Sequence, residues 1–261
     1  MAALLGWVQG CGSGLRFWAA VLGRGCESRF GSRWVGTTSG PRYGVRVRTN
    51  GCSVLDGRVA WTPSLFDTEP VVADEGFVGA RRIELAHDAW VDHTPGWLHG
   101  AAQVFDDLVA NVPWRAGRRL MYGQFVDEPR LHAYRREAVA SCDVARPVID
   151  RMATLLSKRF RVLLPNVGLN YYRDGTDSVA WHGDTVGRAL VQSTVAIVSV
   201  GGARPFRLRP REGGETVEFL LGSGDLLVMG GACQRTWYHS VPKVRDAPPR
   251  ISITYRPKGV S

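Results

Sequence analysis

The sequence predicts a mainly β domain with flanking helices, folded as a double-stranded β-helix, or jelly roll. Two observations carry that expectation. From Val162 onward, eight short apolar runs follow one another between Gly, Pro and Asp residues: Val162–Leu164, Val167–Tyr172, Val191–Val200, Phe206–Arg209, Thr216–Leu221, Leu226–Met229, Trp237–Val241 and Ile251–Tyr255. Runs of that length and spacing suit an antiparallel two-sheet closure, and Gly222-Ser223-Gly224-Asp225 supplies a turn between two of them. Upstream of Val162 the period changes to that of helices, which accounts for the flanking elements.

Taken in order, the segment Ser64–Asp74 reads as extended and Phe77–Leu85 alternates as a strand does. Trp97, Leu98, Ala101, Phe105, Leu108, Val109 and Val112 recur at helical spacing until Pro113 ends the run. A second helix is predicted over Val144–Phe160, with Pro147 tolerated in its first turn because the N–H it lacks has no helical partner there.

With 261 residues and 44% hydrophobic content, the chain can bury one sizeable core and carry an appendage. The net charge is +9, but residues 1–58 hold eight arginines against Glu27 and Asp56, which leaves only +3 for the remainder. High overall basicity is therefore weak evidence that the folded part grips nucleic acid; Arg204, Arg207, Arg209 and Arg211 form one candidate basic patch. Residues 1–60 read as a basic, Gly/Arg-rich segment, either a disordered arm or a start placed too early, with a superficial likeness to a transit peptide; the domain is expected over 61–261. Five scattered cysteines without C-x-x-C spacing argue against a disulfide framework or structural zinc and fit a cytoplasmic setting. No apolar run reaches membrane-spanning length.

The chemistry-bearing residues lie in the β region. His182 and Asp184 are two apart, so on a strand both reach the same side, and His239 can join them downstream. Two imidazoles and one carboxylate capping one face of an ion form the arrangement of non-heme Fe(II) oxygenases. On the last strand, period two puts Arg250, Ser252, Thr254 and Arg256 on one face, toward the jelly-roll interior. Burying two guanidinium groups is costly without an anion, which favours a carboxylate ligand.

Five blocks in this order resemble the AlkB-type Fe(II)/2-oxoglutarate dioxygenases: Asn170-Tyr171-Tyr172, Trp181-His182-Gly183-Asp184, Gly224 to Met229, Trp237 to Lys243 and Arg250 to Arg256. The resemblance implies His182, Asp184 and His239 as catalytic iron ligands, with 2-oxoglutarate and O2 as co-substrates. It implies Arg250 and Tyr172 on the distal carboxylate of 2-oxoglutarate, with Asn170 and Arg256 toward the metal. Ser252 stands where many members carry Asn. Trp114, Met121 and Tyr122 lie where the family carries a nucleotide-contacting lid, to which Tyr134 can add; Trp181 either lines the pocket or packs. Val186 stands where several DNA-repairing members carry an acid.

The implied activity is oxidative demethylation of alkylated nucleic-acid bases, probed on single-stranded or flipped bases, in DNA repair by a cytoplasmic monomer with no membrane association. It couples 2-oxoglutarate and O2 to succinate, CO2 and formaldehyde. Two alternatives stand beside it: the same oxygenase acting on RNA, a protein or a small molecule, and a catalytically silent jelly-roll binding module.

Overall fold

The computed structural model describes residues 70–257, apart from 122, 135 and 185–189. The basic segment 1–60, Tyr122 and Val186 thus lie outside the described residues. Eight strands pair antiparallel in one large sheet, in the spatial order β2 (Arg81–Leu85), β3 (Ala89–Thr94), β12 (Leu226–Gly231), β9 (Val195–Gly201), β14 (Arg250–Arg256), β7 (Asn166–Tyr172), β6 (Gln124–Tyr134) and β5 (Arg115–Met121). A second sheet of four runs β11 (Val217–Leu221), β10 (Arg204–Pro210), β13 (Trp237–Val241) and β8 (Val179–His182). A short ribbon pairs β1 (Val72–Ala73) with β4 (Leu98–His99). Among the described residues the α-helices are α1 (Ala101–Asn111), α2 (Ala145–Phe160) and the single turn α3 (Cys233–Thr236). This is the predicted jelly roll with flanking helices.

The central strands of the large sheet are buried on both faces and divide their residues accordingly. Val195 and Ile197 of β9 join Phe206, Leu208, Phe219 and Leu227 in the core between the sheets. Ala196, Val198 and Val200 of the same strand join Val104, Leu108, Ile149, Met152 and Leu156 in the core beneath the helices. That double burial explains why Val195–Val198 reads as a continuous apolar run without alternation; the strand starts at Val195 rather than at the expected Val191, which is exposed. On β14 the helix-side residues are Ile251, Ile253 and Tyr255, and the Tyr255 hydroxyl donates to the Ile149 carbonyl at 3.2 Å.

Helix α2 has no cap of its own. Asp107 on α1 supplies one, its Oδ2 accepting from the Val144 and Ala145 N–H groups at 2.9 and 2.7 Å and satisfying two otherwise orphaned donors. The helix ends where Arg161 takes a left-handed conformation, φ 53°. The expected turn at 222–225 is stitched by Asp225, whose carboxylate accepts from the Gly222 and Gly96 N–H groups, both at 2.9 Å. Gly224 is required there: its φ is +83° and a Cβ would lie 2.3 Å from the Leu98 oxygen.

Several expectations differ from the structure in their bounds. Val162–Leu164 is a loop, with Leu164 buried as an anchor, because the chain must turn out of α2 before β7 begins. Trp97 and Leu98 precede the first helix; the Trp97 indole donates to the Asp74 carbonyl at 2.8 Å and ties the ribbon to the core. Strand β2 falls inside the expected run Phe77–Leu85. Its partner β3, reached through His87 and Asp88 at positive φ, and the long β5–β6 hairpin were not among the expected strands; β6 is largely exposed and carries little apolar alternation.

Replacing Ile149, wholly buried between α2 and the large sheet, with Ala should cost about 2–5 kcal/mol of unfolding free energy. Urea denaturation of the full chain measures it.

Candidate active site

His182 ends β8 and His239 sits opposite it on β13 as a direct cross-strand partner. Asp184 follows two residues beyond His182, where the chain leaves the strand. Their side-chain donor atoms all lie within 4.8 Å of one another, with His182 Nε2 and His239 Nε2 each 3.9 Å from Asp184 Oδ1. His182 Nδ1 is 2.9 Å from the Ala180 carbonyl; donating there fixes the tautomer that leaves Nε2 free to bind a metal. The His182 side chain is 34% exposed against 9% for the other two, so the cluster opens to solvent on the His182 side.

The electrostatics prepare all three groups as ligands. Burial lowers the His182 pKa below its ordinary 6.5 and brings His239 to about 3, so both imidazoles are neutral at physiological pH. Burial alone would raise Asp184, but Arg256 and the two histidines beside it hold its carboxyl at about 2. Arg256 grips that carboxylate with Nε to Oδ2 at 2.9 Å and Nη2 to Oδ1 at 3.3 Å. A carboxylate that stays ionised and two unprotonated imidazoles suit a divalent cation.

Behind this cluster runs a cavity of about 200 Å³, walled by residues of both sheets. Register builds its floor: Arg250 is paired with Tyr172 and Ser252 with Asn170 across β14 and β7, and directly opposed residues share a face. Asn170, Tyr172, Arg250, Ser252, Thr254 and Arg256 all line the cavity. Arg250 is 1% exposed. Its Nε donates to Ser199 Oγ at 2.8 Å, its guanidinium lies 5.3 Å from the Tyr172 ring centre, and its Nη2 has no hydrogen-bond partner. Burial pulls its pKa down to about 10, still charged at neutral pH. A buried, charged guanidinium with an unused N–H is what a carboxylate at the end of this cavity would complete. The residues therefore fit both a divalent metal and a dicarboxylate such as 2-oxoglutarate.

The substrate-side candidates are placed differently. Trp114 packs on Tyr171, with ring centres 5.2 Å apart, and its indole donates to the Leu108 carbonyl at 3.2 Å. Trp181, one residue before His182, lies beneath the Arg209 guanidinium at 4.4 Å. Neither lines the cavity. Met121 pairs with Gln124 at the tip of the β5–β6 hairpin. Tyr134, by contrast, lines the cavity with half its surface exposed.

Arg130, also on β6, lines the cavity and was not singled out in the sequence. Its Nε donates to Asn170 Oδ1 at 3.0 Å and its Nη2 lies 3.2 Å from Glu128. The period-two set Glu128, Arg130, His132 and Tyr134 was its only signal. The basic patch dissolves: Arg204 is buried and donates to the Asp174, Asp177 and Pro242 carbonyls, Arg207 pairs with Glu218, and Arg209 and Arg211 cover Trp181 and Tyr238.

Two outcomes test the site. Co(II) affinity of the full chain should stay within about twofold between about pH 8 and pH 6.5, because the ligands are already deprotonated; a loss following a group near pH 6.5 contradicts this. Replacing Arg250 with Met should weaken 2-oxoglutarate binding to the metal-loaded chain about 30-fold or more, since an unpaired buried charge costs roughly 2–5 kcal/mol. Calorimetry reads that constant directly.

Residues 97–256 match the family model of the 2OG-Fe(II) oxygenase superfamily. A mouse protein, alpha-ketoglutarate-dependent dioxygenase alkB homolog 3, is 30% identical over 218 residues, covering 76% of this chain and 74% of that protein. Its human counterpart is 29% identical over 174 residues, 59% of this chain and 60% of that protein. The mouse DNA oxidative demethylase ALKBH2 is 33% identical over 122 residues, 43% of this chain and 49% of that protein. With a two-histidine, one-carboxylate cluster beside a cavity that ends in a buried arginine, the chain belongs to the AlkB-type dioxygenases of the 2OG-Fe(II) oxygenase superfamily, enzymes that use Fe(II), 2-oxoglutarate and O2.

Proposed function

We propose that this enzyme removes N-alkyl groups from nucleic-acid bases by oxidation, with single-stranded or flipped bases as substrate. For an N-methyl group the balance is one 2-oxoglutarate and one O2 consumed, with succinate, CO2, formaldehyde and the unmethylated base released. The observation that carries the reading is that the metal-binding cluster and the half-exposed Tyr134 ring line the same cavity. The relative named DNA oxidative demethylase ALKBH2 supports the substrate class.

His182, Asp184 and His239 would hold the iron, which when bound would supply the oxidising chemistry for the methyl C–H bond. The chain's own residues do the rest. Arg250 and Tyr172 take the distal carboxylate of 2-oxoglutarate, which orients its keto-acid end toward the cluster, and Ser252 and Asn170 lie along the same wall. Arg256 keeps Asp184 ionised and fixed. Tyr134 offers an aromatic face to a base, and an enzyme acting on a base needs such a face once the base has left its stack. Once the methyl carbon bears a hydroxyl, the N–CH2OH group breaks its C–N bond to give formaldehyde and the unalkylated ring nitrogen, with the hydroxyl proton released to solvent. A monomer acting in DNA repair in the cytoplasm completes the proposal; the free thiols of Cys142 and Cys233 are compatible with that compartment.

The test is anaerobic loading with Fe(II), then exposure to oxygen, 2-oxoglutarate and a short single-stranded oligonucleotide bearing 1-methyladenine or 3-methylcytosine. Mass spectrometry should show loss of one methyl mass that depends on 2-oxoglutarate, with succinate formed in step. Succinate without a change in the oligonucleotide would overturn the proposed substrate while leaving the oxygenase intact. Tyr134→Ala should lower kcat/KM for the oligonucleotide about tenfold or more, from the roughly 1–3 kcal/mol of base stacking, whereas Tyr134→Phe should stay near wild type.

A further inference from the structure

Asp184 stands just past the end of β8, where no ladder holds it, yet its backbone must be as fixed as its carboxylate. Its N–H donates to the side-chain Oε1 of Gln234 at 3.2 Å. Gln234 belongs to α3, is wholly buried, and its amide is oriented at the other end, where Nε2 lies 3.4 Å from the Met229 sulfur. From the same residue the backbone carbonyl accepts from Arg211 Nη2 at 3.3 Å. That guanidinium lies over the Tyr238 ring at 4.5 Å and presses on the peptide between the two ligands: a Cβ on Gly183 would fall 2.3 Å from Arg211 Nη2 and 3.1 Å from the Gln234 oxygen.

A buried primary amide has no packing advantage over an apolar side chain of the same length, and it costs free energy unless it is bonded. What Gln234 adds is an acceptor aimed at the Asp184 N–H. Helix α3 also runs straight into β13, placing His239 three residues after Thr236. The helix thus touches both separated parts of the ligand set.

We propose that Gln234 is a positioning residue for the metal centre, holding Asp184 by its backbone N–H while Arg256 holds it by its carboxylate. Arg211 clamps the turn from outside, and Gly183 leaves room for that clamp. The role concerns metal binding and is independent of which substrate is oxidised.

The experiment compares the full-length wild type with Gln234→Leu, which keeps the volume and removes the acceptor, and Gln234→Glu, which keeps an acceptor oxygen. Each is titrated with Co(II) and followed by its d–d absorption, and the metal-free thermal midpoint is recorded alongside. Gln234→Leu should bind Co(II) about tenfold or more weakly, the usual range for losing an outer partner of a metal ligand, with an altered spectrum and a metal-free midpoint near wild type. Gln234→Glu should retain most of the affinity. Wild-type affinity and spectrum in Gln234→Leu would overturn the proposal, as would an equal loss in both variants. Backbone hydrogen exchange at Asp184 in the wild type is a separate check, valid even if Gln234→Leu fails to fold. Protection of that amide is expected, and exchange at the rate of a free peptide would overturn the proposal.

Discussion

Strand β14 is buried on both sides, and its two faces have opposite chemistry. Ile251, Ile253 and Tyr255 face the helices, where α1 and α2 cover them. Arg250, Ser252, Thr254 and Arg256 face the inside of the jelly roll, where they line the cavity. A strand with two guanidinium groups on an enclosed face is stable only if each finds an anion or another acceptor. Arg256 has Asp184. Arg250 has the Ser199 hydroxyl and the face of Tyr172, with one nitrogen left over. The site follows from resolving that strain on the strand: one arginine stabilises a metal ligand, and the other remains ready for a dicarboxylate.

The same pairing sets the order of groups along the cavity. Antiparallel register with β7 puts Tyr172 beside Arg250 and Asn170 beside Ser252, while β6 sets His132 against Asn170 and Tyr134 against Gly168. Cationic recognition thus lies deep and aromatic surface lies toward the opening. The metal-binding cluster comes from the facing sheet and lies between them. Two sheets that share one interior can bring Arg250 and His239 to one cavity without adjacency in sequence, and a slip of one residue in β14 would turn all four polar groups toward the helices.

The arginines of β10 and Arg211 just beyond it are engaged within the fold itself. Arg204 occupies a buried position and donates to three carbonyls of two loops, a role the planar five-donor guanidinium fills better than an ammonium. Arg209 and Arg211 cover aromatic rings on the outer face of the small sheet. Counting arginines on β10 therefore overstates the charge left for a partner, and the substrate is better argued from the cavity than from net charge.

By itself, the sequence determined the fold class, the two long helices to within a few residues and the inward-facing set on β14, because period-two and period-3.6 burial are local properties written into residue order. The His182–Asp184 pair was also legible, but not through strand period: β8 ends at His182 and Asp184 lies beyond it. Tertiary structure alone decided what stands opposite what. Arg130 and Gln234 reach the site from a charged hairpin and a four-residue helix, neither of which has an apolar period to read. Trp114 and Trp181 carry the right chemistry for a base but sit outside the cavity, since an aromatic side chain fits a core or a pocket equally well and only packing decides which. Local pattern fixes which face a residue takes; the partner on that face depends on register and closure between distant strands, and no local pattern encodes that.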